Sequence, residues 1–89
     1  MHKIIYADRF IDDLAQVYPG AVLAEIDTWL ELLETFPEIG SSNVRESLKR
    51  RFGKNLRKIP VSSFVIIYRY DDEAALLEVL AMPYAATIT

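Results

Sequence analysis

The segment Phe64-Val65-Ile66-Ile67-Tyr68-Arg69-Tyr70 is β-branched or aromatic at nearly every position, so both faces of a strand made from it need cover. Such a strand belongs in the middle of a sheet. After it, Asp71-Asp72-Glu73 makes an acidic turn, and residues 75–81, with Leu76, Leu77, Val79 and Leu80, return as an antiparallel partner. Pro83 ends that ladder because it has no N–H to donate. Before it, residues 56–61 alternate Leu56, Lys58 and Pro60 with Arg57, Ile59 and Val61, and Ser62-Ser63 suits a turn. A C-terminal three-strand meander is therefore predicted.

The first half of the chain must cover this sheet. Residues 2–7 hold Ile4, Ile5 and Tyr6 and predict a short strand, with Asp8 as the N-cap of the first helix. Over residues 9–18, Phe10, Ile11, Leu14, Val17 and Tyr18 lie on one helical stripe, which Pro19-Gly20 stops. Residues 21–36 repeat the pattern, with Val22, Ile26, Trp29, Leu30, Leu33 and Phe36 on one side and Glu25, Asp27, Glu31 and Glu34 largely on the other. The tight join predicts an antiparallel helical hairpin packed on a small antiparallel sheet. Asn43-Val44-Arg45-Glu46 matches a capping box opening a short third helix, with Val44, Leu48 and Phe52 as its buried face and Gly53 as its stop. Such a short run could equally be a basic loop that tucks three apolar side chains inward. The expected fold is a single α+β domain over residues 1–89, a sandwich of two layers.

Eighty-nine residues without cysteine leave only a hydrophobic core to hold this fold, with no disulfide or thiolate metal site. The first residues lack the features of a signal peptide, and no apolar run approaches the ~20 residues of a membrane span, so a soluble cytoplasmic protein is expected. The formal net charge is −3, but residues 45–58 carry seven bases and one acid while the rest of the chain is strongly acidic. The chain is a cationic island on an acidic body.

The order of these pieces carries a family resemblance. The stretch Asn55-Leu56-Arg57-Lys58-Ile59-Pro60-Val61-Ser62-Ser63-Phe64-Val65-Ile66-Ile67-Tyr68-Arg69-Tyr70, with the acidic turn and Leu77-Glu78-Val79-Leu80 after it, resembles the strand meander of RelE/ParE toxins. Ile5-Tyr6-Ala7-Asp8-Arg9-Phe10-Ile11-Asp12-Asp13-Leu14 is similar to the first strand and helix of that family. The resemblance implies a bacterial toxin of a type II toxin–antitoxin pair, of the kind associated with plasmid stabilisation and silenced by a cognate antitoxin whose C-terminal segment wraps it. One branch of the family cuts messenger RNA on the ribosome without a metal; the other inhibits DNA gyrase.

Carrying over the ribonuclease roles that the resemblance implies mostly fails. The basic pair of the second strand corresponds to Arg57 and Lys58, which alternation puts on opposite faces. An arginine expected just after Phe64 falls on Val65, and the basic residues expected after the last strand fall on the uncharged tail from Pro83 to the end. Metal-free phosphodiester cleavage needs cations aimed at the charge of the transition state, and losing one such donor costs ~100-fold or more. Arg57, Lys58, Arg69 and Tyr84 are thus only weak catalytic candidates, and the chain leans away from being an enzyme. His2, the sole histidine, reads as a mobile terminal residue rather than a base.

No cofactor or metal is expected. Zinc ligands are missing, and Asp71, Asp72 and Glu73 fit a solvated turn better than a magnesium site. Gly20, Gly40 and Gly53 are isolated, so there is no phosphate-cradling loop, and turn chemistry accounts for Ser41-Ser42 and Ser62-Ser63.

The basic island, Arg45, Lys49, Arg50, Arg51, Lys54, Arg57 and Lys58, reads as a contact surface for an acidic partner, against the plainer reading of a solvated face balancing the acids of the second helix. Partners consistent with the resemblance are the antitoxin, DNA gyrase, or the ribosome with its mRNA. The breadth of the apolar side of the second helix, through Leu23, Leu30, Leu32 and Leu33, suits a homodimer seam or an antitoxin groove, and a free sheet edge suits strand addition by an antitoxin tail. The sequence thus supports three readings: a toxin acting by binding, a ribosome-dependent mRNA endoribonuclease with an atypical site, and a non-toxic interaction domain on the same fold.

Overall fold

The computed structural model describes residues 2–17 and 20–87, the side chain of Thr87 excepted. Among the described residues the order is β1 (Lys3–Tyr6), α1 (Asp8–Leu14), α2 (Gly20–Thr35), α3 (Glu46–Phe52), β2 (Leu56–Val61), β3 (Phe64–Asp71), β4 (Leu76–Ala81) and a short 3-10 turn (Ala85–Thr87). The strands form one sheet in the order β1-β4-β3-β2. The α+β class and the C-terminal meander are as expected, with β3 central and buried from Phe64 through Tyr68. The Ser62-Ser63 turn closes directly on the Val61–Phe64 pair, with Ser62 at a φ of 56°.

The expectation of a wholly antiparallel sheet needs correction at one strand. β1 lies parallel to β4, with Tyr6 opposite Val79, so the sheet is mixed. Sequence periodicity reports which residues of a strand face inward, not the direction of a distant partner.

Two apolar clusters sandwich the sheet. On one face, Phe10, Val17, Ile26 and Leu33 of the helical pair and the loop after α1 pack on Ile59, Val61, Phe64, Ile66, Tyr68, Leu77 and Val79, with Trp29 partly buried against them. On the other, Val44 and Leu48 pack on Leu56, Val65 and Ile67, with Phe52 and Leu80 at the margin. The third helix therefore forms, as one of the two predicted alternatives. It adds a partial third layer that the expected two-layer sandwich lacks, because β3 is apolar on both faces and would otherwise leave Val65 and Ile67 in water.

Element ends differ in detail. Helix α1 ends at Leu14 rather than running to Tyr18, which with Pro19 lies outside the described residues. Ala7, not Asp8, is its N-cap, and no side chain caps it. The capping box expected at Asn43 is also not formed: α3 starts at Glu46 with Arg45 as N-cap, while the Asn43 amide donates to Ser41 Oγ. Met82, after the last strand, donates its amide to Asp13 Oδ2 at 2.8 Å, fastening the end of the sheet to α1. His2 is not loose; its Nε2 lies 2.9 Å from the carbonyl oxygen of Leu33 and its ring meets Tyr70 edge-on.

Candidate functional site

Helix α3 lies with Val44, Leu48 and Phe52 toward the sheet, so the remaining positions of its short cylinder carry the cations outward. Lys49, Arg50 and Arg51 occupy its last turn, where the exposed carbonyls of a helix end favour positive charge. Part of the basic island is thus accounted for by the helix itself. Lys49 sits 3.7 Å from Glu46, an exposed pair of small energetic weight, and the Arg51 guanidinium lies over the Phe52 ring at 5.2 Å. Lys54 comes after the stop at Gly53, whose φ of 96° turns the chain toward β2.

Strand alternation separates Arg57 from Lys58, as predicted. Arg57 stands opposite Tyr68 and turns toward the connector between α2 and α3, where Nη1 donates to the carbonyls of Gly40 at 2.8 Å and Glu38 at 3.1 Å. Its Nη2 lies 3.9 Å from the Glu38 carboxylate. This arginine fastens a loop. It lies on the sheet face opposite α3, with Ile59 and Val61.

Lys58 stays on the α3 face. With Arg45, Leu48, Val65 and Ala85 it lines a cleft of about 160 Å³ between the start of α3, β2, the start of β3 and the C-terminal turn. Its backbone pairs in both directions with Ser41, which covers part of the β2 edge. The two cations of this cleft stand over apolar walls, an arrangement suited to receiving a carboxylate or phosphate oxygen.

Arg69 shares that sheet face but is engaged elsewhere. Its Nη1 donates to the Phe52 carbonyl at 3.0 Å, closing the last turn of α3, and its Nη2 donates to Glu78 Oε1 at 3.2 Å across the β3–β4 pair. Tyr84 is drawn to the opposite face, its ring stacked on Phe64 with centroids 4.6 Å apart. The cause is a bulge: Tyr68 faces Val79 while the preceding Ile67 faces Ala81, so Leu80 is an extra residue in β4. An extra residue shifts the phase of the strand by one, sending Met82 and Tyr84 to the helical-hairpin side. The grouping of Arg57 or Lys58 with Arg69 and Tyr84 into one rearranged site is therefore not formed.

What sequence reasoning missed is Arg45 beside Lys58, because nothing in the spacing tells which sheet face α3 will cross. Among the described residues no group of three potential ligands could hold a metal ion. Asp71 instead accepts the amides of Glu73 and Ala74 through Oδ1, an ordinary turn. Among them, too, no helix is long and apolar enough to cross a membrane.

Comparison with curated proteins finds no match. Among solved structures the chain is similar to the toxin–antitoxin complex RelBE2 from Mycobacterium tuberculosis, with a TM-score of 0.68 at 17% identity over 93% of this chain and 96% of that one. It is similar also to the intact E. coli RelBE toxin–antitoxin complex, with a TM-score of 0.63 at 20% identity over 96% and 98% of the two chains. The isolated E. coli RelE toxin gives a TM-score of 0.66 at 16% identity over 96% of this chain and 85% of that one. These likenesses establish the shared fold. In sequence, the family model for the ParE toxin of the type II toxin–antitoxin system parDE matches residues 4–84, nearly the whole chain, and the chain belongs to that family.

Proposed function

We propose that this ParE-family toxin acts by binding its target, DNA gyrase, rather than by cutting RNA, and that an antitoxin silences it by laying an acidic segment over the α3 face. The observation that carries this reading is the dispersal of its cations. Arg57 is tied to the Gly40 loop on one face, Arg69 is tied to Glu78 and the end of α3, and Tyr84 stacks on Phe64 away from Lys58. Metal-free cleavage of a phosphodiester needs several such groups converging on one developing charge. A docking surface needs only that the charges share a side.

The α3 face meets that lesser demand. Arg45, Arg50, Lys54 and Lys58 make no side-chain hydrogen bond or ion pair among the described residues, so their charges are available to an acidic partner. Such a surface speeds encounter and fixes register more than it adds affinity. At the other edge of the sheet, β1 has a neighbour on one side only. Its Lys3 and Ala7 amides point to β4, so alternation leaves the amides of Ile4 and Tyr6 facing outward, and exposed Ile5 and Tyr6 side chains lie beside them. That edge suits an added strand of the antitoxin.

A ribosome-dependent ribonuclease draws its one structural support from the cleft of Arg45 and Lys58. The two readings part in one experiment, induced expression in a bacterium with and without the antitoxin gene. The binding reading expects growth arrest with DNA damage, intact transcripts, and loss of gyrase supercoiling in the presence of the purified toxin. Transcript cutting on ribosomes that Lys58→Ala abolishes would overturn it, and absence of any arrest would leave an inert interaction domain.

A further inference from the structure

Away from the α3 face, the chain leaving α2 exposes Phe36 at 55% and Ile39 at 42%, the first of these the most exposed large apolar side chain among the described residues. With Thr35, Pro37, Glu38 and Tyr70 they line an open groove of about 590 Å³. Glu38 and Tyr70 are shared with an adjoining polar hollow of about 500 Å³ that runs to the acidic β3–β4 turn. The groove thus has an apolar floor at one end and carboxylates at the other.

Its electrostatics are one-sided. Asp72 and Glu73 stand exposed with no ion pair among the described residues, and the sole cation of the hollow, Arg57, is already committed to Glu38 and two carbonyls. Above it ends α2, sixteen residues long, with no basic residue in its last turn. A helix end of that kind carries a partial negative charge that ordinarily attracts Lys or Arg. Here the turn itself holds no Lys or Arg, and the group that meets it is the His2 ring, whose Nε2 lies 2.9 Å from the Leu33 carbonyl oxygen. An apolar floor rewards an aliphatic side chain, while the surrounding negative potential rejects an acidic segment and draws a basic one.

We propose that this groove is a docking site for a basic amphipathic peptide segment of a protein partner, distinct from whatever acidic partner the α3 face takes. The segment sets an aliphatic side chain against Phe36, Ile39 and Tyr70 and a neighbouring lysine or arginine among Glu38, Asp72 and Glu73. Two surfaces of opposite charge let one chain hold two partners at once, and Arg57, which lines the hollow and not the α3-side cleft, holds the Glu38–Gly40 loop beside the groove.

The test is titration of the isotope-labelled full chain with a short peptide of alternating leucine and lysine, read by amide chemical shifts, with peptides of leucine and glutamate and of serine and lysine as controls. Saturable shifts centred on residues 35–39 and 70–73 with the leucine–lysine peptide are expected. Phe36→Ser combined with Glu73→Lys, both at exposed positions that leave the core intact, should weaken the binding by about tenfold or more. Equal binding of the serine–lysine peptide, shifts spread instead along Glu25 to Glu31, or a double variant that binds as well as the parent would each overturn the proposal. Shifts at the groove that appear on concentrating the chain alone would show a second copy as its occupant and overturn it likewise.

Discussion

The hydroxyl of Tyr68, at the centre of the sheet, accepts a 2.8 Å hydrogen bond from the amide of Gly40, and so ties the connector between α2 and α3 to the core. Both residues are buried. Arg57 holds the same loop from the other side through the Gly40 carbonyl, so the residue is gripped at its donor and at its acceptor.

Replacing Tyr68 with Phe keeps the ring but leaves the Gly40 amide without its acceptor. An unsatisfied buried donor costs about 1–3 kcal/mol, and urea unfolding should show that loss as a lower midpoint with an unchanged slope.

The same phenol makes stability depend on pH in the alkaline range. Burial raises its pKa above the usual 10.0, with the Gly40 hydrogen bond and the Arg57 charge opposing the rise. The folded chain keeps a proton that the unfolded chain releases, so the contribution is complete below pH 10 and is lost as pH climbs through the raised folded value. Unfolding midpoints measured across that range should fall less steeply for Tyr68→Phe than for the parent. Tyr6, also raised by burial and by Glu34 and Asp27, adds a slope of the same sign that both chains share.

Gly40→Ala tests the closeness of the approach. A Cβ there would lie 2.7 Å from both Cε1 and the hydroxyl oxygen of Tyr68 and 3.0 Å from the Lys58 carbonyl. Overpacking of this order costs about 1–3 kcal/mol, which calorimetry should register as a lower melting temperature. An unchanged melting temperature would mean the loop gives way freely.

Arg69 closes α3 through the Phe52 carbonyl as well as pairing with Glu78. Arg69→Leu should therefore speed amide exchange within Glu46–Phe52 more than Glu78→Gln does, since the latter removes only a partly exposed ion pair worth about 1 kcal/mol or less. Equal exchange in the two variants would show the helix end to be independent of the guanidinium.

Charge reversal separates the two kinds of cation in the basic island. The paired reversal Arg50→Glu with Lys54→Glu should slow antitoxin association several-fold at low salt, about tenfold by the usual scale of electrostatic steering, and lose that effect as salt rises. Arg57→Ala should leave the association rate near that of the parent while lowering stability, because its side chain serves the Gly40 loop. Stopped-flow mixing measures the first and thermal unfolding the second.

The meander was legible in the sequence because its signals are local. Residues of β2 alternate with a period of two, so Arg57 and Lys58 had to part, and Asp71 to Glu73 could hardly be anything but a turn. The side of the sheet chosen by α3 was not legible, since its apolar spacing of four fits either face and only the demand of Val65 and Ile67 for cover decides it. Nor was the fate of Tyr84. Counting by twos from Leu77 and Val79 puts it on the face of Lys58, and the single extra residue at Leu80 reverses that answer. A bulge leaves no mark in composition, so the weak catalytic grouping could be judged by its missing cations but not by its geometry.

The parallel contact between β1 and β4 joins strands more than seventy residues apart, the earliest and the latest of the sheet to leave the ribosome. A nascent chain halted before residue 76 lacks the native partner of Lys3–Tyr6, and the α1–α2 pair has no Leu77 or Val79 to rest on. The β2–β3 pair and its α3 cover need only residues already made, whereas closure of β1 and the helical pair onto the sheet waits for β4 and is the long-range, slow part of folding. Translation products interrupted before that strand therefore cannot assemble the domain, and the cell meets it only once β4 has been made.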